Sequence, residues 1–188
     1  MKQTLIPEQT VIEEVKKGVA ETLNRDKGSI NPGDSLMKDL GAESLDFLDI
    51  TYRLEQSFGI KMARHFVLEH VEEMFGEGSA IDANGQLTEK AVELLRIRAE
   101  GDLPKEIHAG MDMDEVPALV TVQTMARGVM DILDSLPEAC KACGSSAWKT
   151  EEGVRITCGS CGAPATFDNG DDLTKAWLTK VQEEHRLF

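Results

Sequence analysis

Two sets of residues in this 188-residue chain have the types and spacing to do chemistry. The first is a lone hydroxyl. The run Asp39-Leu40-Gly41-Ala42-Glu43-Ser44-Leu45-Asp46 sets Ser44 behind a glycine-bearing loop, with an acid before it and another two residues after, and a helical pattern follows at once. No histidine lies near Ser44 in sequence, and Asp46 stands where a hydrolase elbow of the Gly-x-Ser-x-Gly type has its second glycine. Without a local base, the serine has the setting of a group modified by another protein, not of an activated nucleophile. Taken alone, Ser44 also fits a simple helix N-cap. An anion joined to it would be tolerated there, because a helix N-terminus offers unpaired N–H groups and the positive end of the dipole.

The second set is Cys140-Lys141-Ala142-Cys143-Gly144 and Cys158-Gly159-Ser160-Cys161-Gly162. Two CxxC pairs, each followed by glycine and separated by fourteen residues, have the pattern of a four-cysteine zinc ribbon, one residue short of the usual separation. Four thiolates close a tetrahedral shell, so Cys140, Cys143, Cys158 and Cys161 point to a structural Zn2+ and not to a catalytic one. The thioredoxin-like pattern that would surround a redox CxxC is missing. A four-cysteine iron site would use the same ligands, and sequence leaves that alternative open. Trp148 and Thr150 alternate on one expected strand and Val154 and Ile156 on the next, joined at Glu151-Glu152-Gly153. So small a module cannot bury a core of its own, and metal binding would supply its stability.

Helices must position the serine. From Leu45 to Phe58 the apolar residues Phe47, Ile50, Leu54 and Phe58 recur at helical spacing, with Leu45, Leu48 and Tyr52 expected to widen the buried stripe. Asp46, Asp49, Arg53 and Gln56 fall on the opposite face, and Gly59 ends the pattern. Upstream, Pro7 to Leu23 reads as a helix with Val11, Ile12, Val15, Val19 and Leu23 on one face. Between them Asn24 to Lys38, with Gly28, Pro32 and Gly33, reads as a long loop anchored by Leu36 and Leu40.

Leu40-Gly41-Ala42-Glu43-Ser44-Leu45-Asp46, together with the Leu54-Glu55 to Phe58-Gly59-Ile60 exit, resembles the acyl carrier protein family, whose attachment motif reads Asp-Ser-Leu; here Glu43 takes the aspartate position. The segment Val120-Thr121-Val122-Gln123 resembles the Thr-Val-x-Asp entry of that family's last helix, so the likeness covers about residues 5–60 and 111–135. The resemblance implies that Ser44 is esterified with 4'-phosphopantetheine from coenzyme A and that the terminal thiol carries an acyl group as a thioester. It implies a phosphopantetheinyl transferase and acyl-loading and acyl-processing enzymes as partners, met by Glu43, Asp46 and Asp49 on the acidic serine helix. It also implies a carrier and not an enzyme. A peptidyl carrier would share the serine, but Glu43 just before it leans toward the fatty-acyl type. A zinc-ribbon adaptor with a carrier-like scaffold is the alternative of another class.

The fold expected is therefore mostly α: a four-helix carrier-like bundle with an inserted helical pair, then a small β zinc ribbon and a C-terminal helix. The carrier domain would occupy residues 1–136, with an insertion at 61–110, and the ribbon and terminal helix 137–188. Within the insertion Ala63–Phe75 reads as a helix, and so does Thr88–Glu100, capped by Thr88 and stopped by Gly101. Asp82-Ala83-Asn84-Gly85 imitates a calcium loop, but Leu87 and Glu89 break the pattern and a plain Asn-Gly turn is expected. His65, His70 and His108 show no metal-ligand spacing. Asp114–Leu119 reads as a short third helix and Thr121 caps a fourth with Val122, Met125, Ala126, Val129 and Leu133 inward. Met111, Met113, Met125 and Met130 are expected to form one adaptable lining, and the insertion to enlarge the chain-binding cavity or select partners. From Asp171 to Phe188 a last helix, with Leu173, Trp177, Val181 and Phe188 as its stripe, is expected to pack on the ribbon or the carrier helices.

Composition sets bounds. A net charge of -14, from 20 Lys and Arg against 34 Asp and Glu, argues against nucleic-acid binding and suits basic partners. No apolar run is long enough for membrane insertion, no leader is evident, and the paired cysteines fit a reducing compartment, so a cytoplasmic location is expected.

Overall fold

Helix α1 (Glu8–Leu23) forms where the apolar period is strongest, and Val11, Ile12, Val15 and Val19 are all buried. Asn24 ends it in the left-handed conformation, which lets the Arg25 N–H reach the Ala20 carbonyl at 2.9 Å. In this computed structural model, which describes residues 2–99 and 105–188, the elements that follow are α2 (Ser44–Phe58), α3 (Val67–Phe75), α4 (Glu89–Arg98), α5 (Val122–Leu133), strands β1 (Trp148–Glu151) and β2 (Arg155–Cys158), and α6 (Gly170–His185). Short 3-10 helices lie at Lys27–Ser29 and Met113–Leu119. The protein is thus mostly helical, with one two-stranded antiparallel sheet and a four-cysteine cluster, as the sequence leads one to expect. No described helix is long and apolar enough to cross a membrane.

The chain packs as two units, Met1–Met62 with Val120–Gly170, and Ala63–Leu119 with Asp171–Phe188. In the first, α1 packs against both α2 and α5. Ile50, Leu54 and Phe58 of α2 and Val122, Ala126, Val129 and Leu133 of α5 are buried, and loop residues Ile30, Leu36, Leu40 and Ala42 are buried with them. Thr121 caps α5 as expected, accepting the Thr124 N–H at 3.1 Å. Gly59 ends α2 at φ 70°, a left-handed angle that glycine adopts without strain. The ribbon also lies in this unit: β1 pairs with β2 in the register Trp148↔Cys158 and Thr150↔Ile156, and the Arg155 guanidinium donates to the Gln56 carbonyl near the end of α2.

One stripe departs from expectation. Leu45, Leu48 and Tyr52 are 78%, 59% and 58% exposed, not buried. A helix covered mainly along one side hides only a stripe of its surface, and Ile50, Leu54 and Phe58 use it up.

The second unit has its own apolar cluster, in which Leu68 and Val71 of α3, Ala91 and Leu94 of α4 and Leu178 and Val181 of α6 are all buried. The terminal helix therefore packs in the unit of the insertion, where the sequence pointed to the ribbon or the carrier helices. The same division assigns Met111 and Met113 to the second unit and Met125 and Met130 to the first. Helix α3 begins at Val67, four residues later than the pattern suggested, because the Asp171 carboxylate accepts the Arg64 and His65 N–H groups and Glu69 accepts that of Phe66. After α3, Glu72 takes the N–H groups of Gly78, Ala80 and Ile81 at 2.6–3.0 Å and so shapes the turn. At the Asn-Gly turn the Asp82 carboxylate accepts the Asn84 and Gln86 N–H groups, and Gly85 has φ 80°. Thr88 caps α4 through the Ala91 N–H at 3.1 Å, while the expected end at Glu100 and Gly101 lies outside the described residues. The short third helix is a 3-10 helix.

Burial ranks the residues of α2. Phe58→Ala should cost about 3–5 kcal/mol of stability, whereas Leu45→Ala should change it by less than about 0.5 kcal/mol; urea unfolding followed by circular dichroism measures both.

Candidate functional site

The serine is positioned by backbone hydrogen bonds in the loop before it. The Leu36 N–H donates to the Val120 carbonyl at 3.0 Å, the Val122 N–H to Asp34 at 3.2 Å and the Gln123 N–H to Pro32 at 2.8 Å, tying the loop to the entry of α5. Gly41, at φ 73°, then turns the chain so that Ala42 is buried while Glu43 and Ser44 emerge. Ser44 is the first residue of α2 and is exposed, and Glu43 holds the N-cap position. Among the described residues the Ser44 hydroxyl has no hydrogen-bond partner, which removes the N-cap reading of this side chain. The Ser44 and Leu45 N–H groups are also unpaired among the described residues, so the helix end can receive an anion.

The three acids expected to meet partners are held differently. Glu43 is exposed. Asp46 accepts the Glu43 N–H at 2.8 Å and so closes the first turn. Asp49 accepts the Thr22 hydroxyl at 2.6 Å and the Arg53 Nε at 2.8 Å, and Arg53 also reaches Glu21 at 2.8 Å. The Thr22 hydroxyl first, and then Arg53, hold the Asp49 carboxyl below the ordinary aspartate range. Spacing alone could show that Asp49 faces away from the core, but not that α1 supplies it with a hydroxyl.

The four cysteines converge as their spacing requires, with their sulfurs within 4.8 Å of one another. Cys140 and Cys161 Sγ are 3.8 Å apart and Cys143 and Cys158 Sγ 3.6 Å apart. Ligands about 2.3 Å from a tetrahedral zinc are about 3.8 Å from each other, so the set fits that ion. The two knuckles match: the Gly144 N–H donates to the Cys140 carbonyl at 2.8 Å and the Gly162 N–H to Cys158 at 2.9 Å, with φ 73° and 75° at the glycines. Backbone N–H groups of Cys161 and Ser160 draw the Cys158 thiol down to about 6. At Cys143 the Ser145 N–H lowers the thiol, but the neighbouring sulfurs, Cys161 foremost, outweigh it and push it up to about 12. Sulfurs this close cannot all ionise without a cation among them.

A family profile described as phosphopantetheine attachment site matches residues 13–72, which takes in most of α1, all of α2 and the start of α3. Over 53 residues the chain is 42% identical to the acyl carrier protein AcpXL of Mesorhizobium japonicum, covering 28% of this chain and 57% of that one. Over 44 residues it is 46% identical to the acyl carrier protein AcpXL of Rhizobium etli, covering 23% and 48%. Over 52 residues it is 36% identical to the acyl carrier protein of Helicobacter pylori strain G27, covering 28% and 67%. The chain thus spans about half to two thirds of the length of these relatives. No solved structure matches. Helical fold, serine setting and matched profile define the class as phosphopantetheine-attachment domains. The chain belongs to the acyl carrier protein family.

Because the Asp49 carboxyl is depressed in the folded state, it adds stability above its unfolded value of about 3.9, and that contribution is lost as pH falls through the lower folded value. Asp49→Asn should therefore be less stable than the wild type at pH 6, with the difference shrinking as pH falls below the unfolded value; urea midpoints across that range measure it.

Proposed function

We propose that this protein carries acyl chains as thioesters on a 4'-phosphopantetheine arm attached to Ser44, in fatty-acid, lipid or polyketide-type biosynthesis. The observation that carries this reading is the exposed, unpartnered Ser44 hydroxyl at the first residue of α2. In the loading step Ser44 Oγ gives its proton to the transferase and forms the bond to the pantetheine phosphate as the nucleotide part of coenzyme A departs. The unpaired amides of Ser44 and Leu45 then face the new phosphodiester charge. The chain contributes no catalyst of its own: a phosphopantetheinyl transferase, a loading enzyme and acyl-processing enzymes act on the arm. Glu43, Asp46 and Asp49 give them an acidic surface, and the acid charge suits basic patches and fast encounter.

The carrier domain in this reading occupies residues 1–136, with its insertion at 61–110, and works in the cytoplasm. Cys140, Cys143, Cys158 and Cys161 hold a structural Zn2+, whose role is to fold residues 137–165 into a rigid module. The Arg155 contact to the Gln56 carbonyl supports a bracing role at the far end of the serine helix.

Intact mass after incubation with coenzyme A and a broad-specificity transferase tests the arm: the wild type should gain one phosphopantetheine and Ser44→Ala none, while an adduct on Ser44→Ala would overturn the assignment. For the ribbon, replacing Cys158 and Cys161 together by serine should remove one metal equivalent per chain and leave residues 140–165 open to protease; an unchanged metal count would exclude the cysteines as ligands.

A further inference from the structure

Outside the serine and the cysteines, one other set of ligand-type side chains converges among the described residues, and it joins residues that the sequence keeps far apart. His65 precedes α3, His70 lies on α3, and Asp171 stands in the first turn of α6. One ligand atom from each lies within 4.8 Å of the other two. His70 Nε2 is 2.9 Å from Asp171 Oδ1, and His65 Nδ1 is 3.6 Å from the same oxygen. Donors bound to a divalent transition metal at about 2.0–2.2 Å lie about 3.3–3.5 Å apart in tetrahedral geometry, within the observed span.

His70 is 2% exposed, and both of its ring nitrogens face carboxylates: Nε2 faces Asp171, and Nδ1 is 3.5 Å from Glu73 Oε2. A neutral imidazole has one N–H and satisfies one of the two, whereas an imidazolium or a metal-bound ring satisfies both. The His65 side chain, 61% exposed, turns its Nδ1 to the same oxygen, which the Arg64 and His65 main-chain N–H groups also reach and so hold beside the ring. A cation bound by Nε2 would put the proton on Nδ1 toward Glu73, the arrangement in which a ligating histidine donates its second nitrogen to a carboxylate. Lys175, 2.9 Å from Glu73, holds that carboxylate in place and ionised.

We propose that His65, His70 and Asp171 form a second divalent-metal site, suited by its two imidazoles and one carboxylate to Zn2+ or a similar borderline ion. Three protein ligands leave the remaining position to water or to a partner's side chain, in contrast to the closed shell of the ribbon. The site staples the start of α6 to α3 and needs neither the Ser44 arm nor the cysteines, so its test stands apart from theirs.

The test is a metal count on the full chain. Protein is equilibrated with a small excess of Zn2+, desalted and assayed by mass spectrometry of the metal, and wild type is compared with His65→Ala, whose exposed side chain can be removed without disturbing the core. The wild type should hold one equivalent more than His65→Ala, and this difference should persist when Cys158 and Cys161 are serine. Zn2+ should also raise the melting temperature of α-helical signal in the wild type more than in His65→Ala, and Glu73→Gln should weaken the extra equivalent about 10–100-fold. Equal counts in wild type and His65→Ala would overturn the proposal.

Discussion

The serine tip of α2 is held by main-chain hydrogen bonds, and the rest of the first unit is arranged so that they can form. Pro32, Asp34 and Leu36 pair with Gln123, Val122 and Val120, so a loop without regular structure is anchored to the start of another helix. Its apolar residues Ile30, Leu36, Leu40 and Ala42 then sink into the core, while Gly41 reverses the chain just before Glu43. The serine is fixed in place from behind and left uncovered in front. In the proposed role, a hydroxyl reached by other proteins and carrying a long arm would need both.

The two ends of α2 do different work. At the N-terminal end polar groups are committed to holding the turn and the neighbouring helix, as with Asp46 to Glu43 and Asp49 to Thr22 and Arg53, while Leu45, Leu48 and Tyr52 stay in solvent beside the serine. At the C-terminal end the buried Glu55 accepts the Met62 N–H at 2.9 Å, and Arg155 of the ribbon reaches the Gln56 carbonyl. Exposure and bracing are thus kept at opposite ends of one helix.

What the sequence made legible was whatever depends on neighbours close in the chain. The periods of α1, α2 and α5, the caps Thr88 and Thr121, the stop at Gly59 and the cysteine knuckles all rest on contacts within a few residues, and all are found. What was missed depends on distant partners. Periodicity marks Leu45 and Leu48 as apolar without saying that no neighbour covers them. The late start of α3 follows from Asp171, more than a hundred residues on, and the same carboxylate draws together His65 and His70, which their spacing alone did not link. The place of α6 was illegible for a related reason: its stripe shows that it must be covered, not by what.

The Gly170 N–H donates to the Lys61 carbonyl at 2.9 Å, so the last residue of the first unit lies beside the stretch from which the chain first leaves it. The second unit is consequently built from two pieces, Ala63–Leu119 and Asp171–Phe188. Excising residues 63–119 alone would strip Leu178 and Val181 of their cover and leave a sticky helical tail. A minimal version of this protein has to be trimmed at both places at once.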